Sequence, residues 1–172
     1  IYEKMITSIE DVLKFIDDKS FKKIFVLSGQ KSFVNSGAEK LLKKINNSEV
    51  KLSYKKSEIP ILEELIEIIK EIKNFEPDLF LAIGGGAVID YAKIVNVVDV
   101  REDLADLIIN YKYPFNNKYT KLAVIPTTAG SGAEVTSNAV IYVDGIKHSF
   151  ESELLIPRLF FSCSRIFNHR TK

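Results

Sequence analysis

The stretch "EPDLFLAIGGGAVIDYAKIVNVV" constrains this chain more than any other. Leu79 to Ile83 form an apolar run bounded by Pro77 on one side and by Gly84, Gly85 and Gly86 on the other. The run is too short for a helix and offers no polar position to turn toward water, so it reads as a strand buried on both faces. A fold that contains it must supply a layer on each side. Directly after the glycines, "AVIDYAKIVNVV" switches to helical spacing, and strand, glycine turn and helix together begin a parallel α/β unit.

The same alternation runs along the chain. Residues 7 to 18 place Ile9, Val12, Leu13 and Ile16 on one helical face, and "KKIFVLS" is a buried strand that Ser28-Gly29 breaks. "NSGAEKLLKKI" reads as the next helix and "VKLSY" as a short strand. Ser57 is placed to cap a helix in which Leu62, Leu65, Ile66, Ile69 and Ile72 repeat at three-four spacing, with Pro60 in its first turn. "KLAVI" is a further strand, and "AVIYV" with "IKHSF" form a hairpin over Asp144-Gly145. The expected fold is α/β, a Rossmann-like, mostly parallel sheet flanked by helices, in which ligands bind at the carboxyl ends of the strands.

Composition narrows the function. At 172 residues and 46% apolar, the chain suits one domain with a real core. No apolar run approaches a membrane span, and "IYEKMITSIEDVLKF" is too charged for a signal peptide, so the expected compartment is the cytoplasm, without a membrane partner. Cys163 is the single cysteine, which excludes an internal disulfide, and with only His148 and His169 a self-contained zinc site is not expected. The net charge of +1 gives no nucleic-acid signature, but it hides a break. Residues 157 to 172 hold Arg158, Arg165, Arg170 and Lys172 with no acid, leaving −3 on the first 156 residues. The expected division is therefore an α/β domain over 1–156 and an atypical basic tail over 157–172.

Two loops at strand ends carry the chemistry. Gly84, Gly85 and Gly86 let a backbone approach a ligand closely, and the first N–H groups of the helix that follows present the positive end of its dipole, which suits phosphate. The competing reading is a tight strand-to-helix turn alone. The pattern is not the dinucleotide fingerprint, since Ile89 stands where its third glycine belongs. The second loop, "PTTAGSGAE" from Pro126 to Glu134, has no charge until its last residue. Thr127, Thr128 and Ser131 offer hydroxyls and Gly130 and Gly132 offer N–H groups, against the plainer reading of a Ser/Thr-rich turn. The two loops together favour a nucleotide site. Asp90 and Lys93 form either a helical i, i+3 pair or a ligand-orienting pair, and Lys147 is either a solvated strand lysine or a cation facing the ligand.

"LAIGGGAVIDYAK" followed by "LAVIPTTAGSGAEVTSNAVI" resembles the paired signature of the iron-containing alcohol dehydrogenases, GGGSxxDxAK and PTTAGTGSEVT, from about residue 20 to Pro157. The resemblance implies a dehydroquinate-synthase-like fold in which Gly84, Gly85 and Gly86 take the pyrophosphate of NAD or NADP with Asp90 nearby. It also implies that Thr127, Thr128, Ser131 and Thr136 line the nucleotide and nicotinamide and that Lys147 reaches the ribose. Ala87 stands where the family usually has Ser. Many members place an Asp after the first strand to bind the adenosine ribose and exclude a 2′-phosphate. Here Gly29, Gln30, Lys31 and Ser32 occupy that stretch, which favours NADP(H).

Family members are about twice as long, and their second, helical domain supplies the metal ligands for Fe2+ or Zn2+. Neither His148 nor His169 matches such a position, so no metal or catalytic residue is assigned. After "LLIP" the family continues with Asp and an apolar strand, whereas this chain reads "RLFFSCSRIFNHRTK". A frameshifted or truncated frame is expected, with Ile1 marking an incomplete start, against a natural short protein with a basic tail. The functional expectation is the cofactor half of a metal-dependent alcohol dehydrogenase or aldehyde reductase, inactive alone, acting on a small alcohol or aldehyde and homo-oligomeric when intact. A stand-alone nucleotide-binding module and a dehydroquinate synthase or glycerol (phosphate) dehydrogenase relative are the alternatives.

Overall fold

A computed structural model describes residues 8–112, 114–128 and 135–161. Helix α1 (Ile9–Asp18) starts at Ser8, whose hydroxyl accepts the Asp11 N–H at 3.1 Å, and leads into β1 (Lys23–Gly29). Two short helices follow, α2 (Gln30–Ser36) and α3 (Ala38–Lys43), before β2 (Glu49–Lys55). Helix α4 (Leu62–Phe75) returns the chain to β3 (Leu79–Gly84), and α5 (Gly86–Val95) and α6 (Leu104–Ile109) separate it from β4 (Lys121–Pro126). The hairpin of β5 (Asn138–Val143) and β6 (Ile146–Glu151) precedes a 3-10 turn at Glu153–Leu155 and the two-residue β7 (Leu159–Phe160).

Five strands form a wholly parallel sheet in the order β2-β1-β3-β4-β7. Successive side chains of its central strands point to opposite faces, as strand geometry requires. Phe25, Leu27, Phe80, Ala82, Leu122 and Val124 pack beneath α4, α5, α6 and the hairpin, while Ile24, Val26, Leu81, Ile83 and Ile125 pack against α1, α2 and α3. The central strands β1, β3 and β4 are thus buried on both faces and need no polar alternation, whereas the edge strand β2 is only half-buried. Asp78 sets the start of the central pair, its carboxylate accepting the N–H groups of Lys22 at 2.8 Å and Lys23 at 2.9 Å. Asn96 does the same for β4, exchanging hydrogen bonds with Thr120.

Several sequence expectations are corrected. Ser28-Gly29 does not break away from the sheet: both residues pair within β1, and helix begins directly at Gln30. The single helix expected after it is two helices, parted at Gly37, whose φ of +76° is left-handed. Ser57 caps nothing, since α4 starts five residues later after an extended Ile61. The cause is Glu64, whose buried carboxylate accepts the N–H groups of Lys56 at 2.7 Å and Ser57 at 3.1 Å and folds that segment back as a loop. Pro60 consequently precedes the helix, and its carbonyl accepts the Tyr142 N–H at 2.7 Å. Helix α6 and strand β7 have no counterpart in the sequence reading. Strand β7 pairs with β4, and Phe161 beside it is 1% exposed, so the first residues after the compositional break at 157 belong to the sheet.

Candidate functional site

The strand order reverses between β1 and β3: the chain leaves β1 outward to β2, then crosses back to β3 and continues to β4. In open α/β sheets the crevice at that switch point, beyond the carboxyl ends of the strands, is where ligands bind. Gly29 ends β1 there and Gly84 ends β3, with Pro126 beside it in register. The Ser28 hydroxyl donates to the Ile83 carbonyl at 2.5 Å, closing the two strand ends together. The Thr127 N–H donates to the Gly84 carbonyl at 3.0 Å and joins the second loop to the first.

The three glycines do different things. A Cβ on Gly84 would stand 2.6 Å from a methyl of Val88, so this residue is glycine because α5 packs directly over the end of β3. A Cβ on Gly85 would meet the Thr128 hydroxyl at 3.4 Å. Among the described residues Gly86 faces open space, with nothing within 4 Å of an added Cβ. Gly85 is the N-cap of α5 and supplies no side-chain bond, and the first turn of the helix contains no acid. Its leading N–H groups therefore present an uncompensated positive end. Beside them the Thr127 hydroxyl oxygen is buried without a hydrogen-bond partner, while Thr128 is exposed. A buried hydroxyl in that condition takes its partner from a water or a ligand.

Asp90 lies in the second turn of α5. It is half-buried, and burial pushes its carboxyl up to about 6, opposed by the charge of Lys93, by the Val140 N–H that it accepts and by Lys147. Lys147 is exposed on β6. Lys93 is 1% exposed, and its ammonium donates to the Thr136 carbonyl at 2.9 Å, the Thr136 hydroxyl at 3.2 Å and the Asn138 carbonyl at 2.8 Å. It clamps the far end of the second loop to the helix that begins at the first. Thr136 is thereby held half-buried at the loop's exit. Ser131 lies outside the described residues.

On the β1 side, Gln30 and Lys31 are exposed in the opening turn of α2, and the Ser32 hydroxyl donates to the Gly29 carbonyl at 3.0 Å. Tyr91 was not singled out by sequence reasoning. Its buried hydroxyl accepts the Ile61 N–H at 2.8 Å, fixing the start of α4 to α5, and burial pushes the phenol well above its ordinary range. Lys93 carried a sequence signal, as the single lysine within an apolar helix, but its three acceptors lie more than 40 residues away.

The groups fit a dinucleotide: among the described residues a buried hydroxyl without a partner, a glycine with open space before it and the N-terminus of α5 meet at one crevice. Among the described residues no three His, Cys, Asp or Glu side chains stand together. Nor is any described helix long and apolar enough to cross a membrane.

Fold and crevice define a doubly wound α/β domain with an open crevice at its switch point. Residues 5–162 match the family model "Iron-containing alcohol dehydrogenase", and the chain belongs to that family. It is 33% identical over 104 residues to an alcohol dehydrogenase of Thermococcus barophilus, covering 57% of this chain and 28% of that protein. It is 32% identical over 142 residues to 4-hydroxybutyrate dehydrogenase of Clostridium kluyveri, covering 80% of this chain and 37% of that one. The fold matches that of the sulfoacetaldehyde reductase of Bifidobacterium kashiwanohense solved with NAD+, at a TM-score of 0.78 and 21% identity, over 94% of this chain and 45% of that chain. NADH-dependent butanol dehydrogenase A of Thermotoga maritima gives a TM-score of 0.77 at 24% identity, over 94% and 43%. The chain thus spans less than half the length of these relatives.

Proposed function

We propose that this chain is the dinucleotide-binding half of a metal-dependent alcohol dehydrogenase or aldehyde reductase, with NADP(H) favoured over NAD(H). The observation that carries the reading is the buried, unpartnered Thr127 hydroxyl beside the open N-terminus of α5. The N–H groups of Gly86 and its neighbours hold the pyrophosphate, the Thr127 hydroxyl bonds the adjoining nucleotide, and Lys93 fixes Thr136 and Asn138 where the second loop ends. Asp90 and Lys147 stand at the mouth, where a carboxyl poised near 6 orients ribose or amide groups. The nicotinamide ring, when bound, supplies the acceptor for a hydride from an alcohol carbon. Metal ligands belong to the part of the relatives' length that this chain does not span, so the chain alone turns over no alcohol.

Preference for NADP(H) rests on Gly29 and Gln30, which leave the end of β1 without the carboxylate that would repel a 2′-phosphate. Two similar structures carry NADH or NAD+ in their names, so this preference is a point on which the chain departs from them. Gly86→Ala tests the site as a whole. Open space before Gly86 means that a methyl group is accommodated in the free chain and its melting temperature stays unchanged. Against a bound pyrophosphate the same methyl group lowers NADPH affinity about tenfold or more. Unchanged affinity in the variant, or no dinucleotide binding by the parent chain, would overturn the reading.

A further inference from the structure

Gly29 at the end of β1 lies opposite Lys55 at the end of the edge strand β2, the last pair in that register. A Cβ placed on Gly29 would stand 2.9 Å from the Ser32 hydroxyl and 3.7 Å from Cε of Lys55, so both side chains line the space that a larger residue at 29 would fill. Lys55 is half-buried, and its ammonium donates to the Ser57 carbonyl at 2.9 Å, which fixes the group while leaving two of its three N–H bonds to give. Among the described residues Lys55 enters no ion pair. The buried Glu64 carboxylate is committed to the backbone of Lys56 and Ser57.

We propose that Lys55 is the residue that selects a dinucleotide bearing a phosphate on its adenosine ribose, pairing its ammonium with that phosphate beside Gly29 and the Ser32 hydroxyl. This rests on the dinucleotide reading of the crevice and adds the determinant that the β1 turn by itself lacks. Gly29 removes a repelling group, whereas Lys55 supplies an attracting one, and specificity normally uses both. A half-buried lysine on a strand is better fixed than the exposed Lys31 on the short helix α2, so less freedom is lost when it takes up a phosphate.

The test is titration of the 172-residue chain with NADPH and, separately, with NADH, for the parent and for Lys55→Met, Lys55→Gln, Lys55→Arg and Lys31→Ala. Lys55→Met and Lys55→Gln are expected to weaken NADPH about tenfold or more while leaving NADH within about twofold. Lys55→Arg is expected to keep the preference. A role confined to tethering Ser57 would move both affinities together, or neither. Circular dichroism identifies a variant that fails to fold, and the Met and Gln replacements give two independent chances of a folded one. A preference for NADPH that survives in the folded Lys55 variants but vanishes in Lys31→Ala would overturn the assignment and leave the NADP(H) reading standing. A parent chain that binds NADH as well as NADPH would overturn both, and one that binds neither would overturn the site itself.

Discussion

Asp90 keeps a carboxyl group where burial opposes its charge. Its ordinary value of 3.8 is raised to about 6 in the folded chain, so between roughly pH 4 and 6 the folded state binds a proton that the unfolded state has released. Stability from this residue is therefore greatest below pH 4, falls as the pH rises through that window, and stays reduced above it. The expected outcome for Asp90→Asn, which retains an acceptor for the Val140 N–H, is a gain of about 2 kcal/mol at pH 7 and a flatter stability profile between pH 4 and 6. Urea unfolding at a series of pH values measures both.

Among elements, the contact between the end of β3 and α5 decides the geometry of the crevice. Gly84→Ala sets a methyl group 2.6 Å from a methyl and 2.8 Å from Cβ of Val88, a branched side chain that cannot swing its Cβ away. We expect a loss of about 1–3 kcal/mol, recovered in large part by the double variant Gly84→Ala, Val88→Ala, as read by thermal melting. The strands and long helices were legible beforehand because a strand buried on both faces and a three-four helical repeat are local patterns. What was not legible depends on partners distant in sequence. Which glycine serves packing and which faces open space is decided by Val88. The late start of α4 follows from Glu64 taking the N–H groups of Lys56 and Ser57, and the clamp at Lys93 follows from carbonyl groups on the far side of β4. The motif residues themselves were legible in position, and their separate tasks were not. Helix α6 was missed because "REDLADLIINY" offers a short apolar segment among charges, and Gly37 split a continuous pattern without interrupting its periodicity.

For the molecule as a whole, the edge formed by β7 joins the sheet to α1. Leu159 and Phe161 are both 1% exposed, and Phe161 meets the ring of Phe15 edge-on at 6.2 Å between centroids. The charge of the sequence after 157 drew attention away from these apolar positions. Phe161→Ala is expected to lower stability by about 3 kcal/mol, with the unfolding midpoint in urea moving accordingly and the slope unchanged. An effect near zero would mean that the strand contributes nothing to the sheet.

The five-stranded sheet is parallel throughout, and its central bond from Ser28 to Ile83 joins residues 55 apart in the chain. Every pairing in it must wait for a long loop to close, whereas Asp144 and Gly145, with φ values of 50° and 77°, let β5 and β6 meet at once. During refolding the hairpin is thus the early microsecond event and the crevice the late one. The dinucleotide proposed for that crevice would find its site only once those loops have closed, so it would hold the finished sheet without hastening its formation.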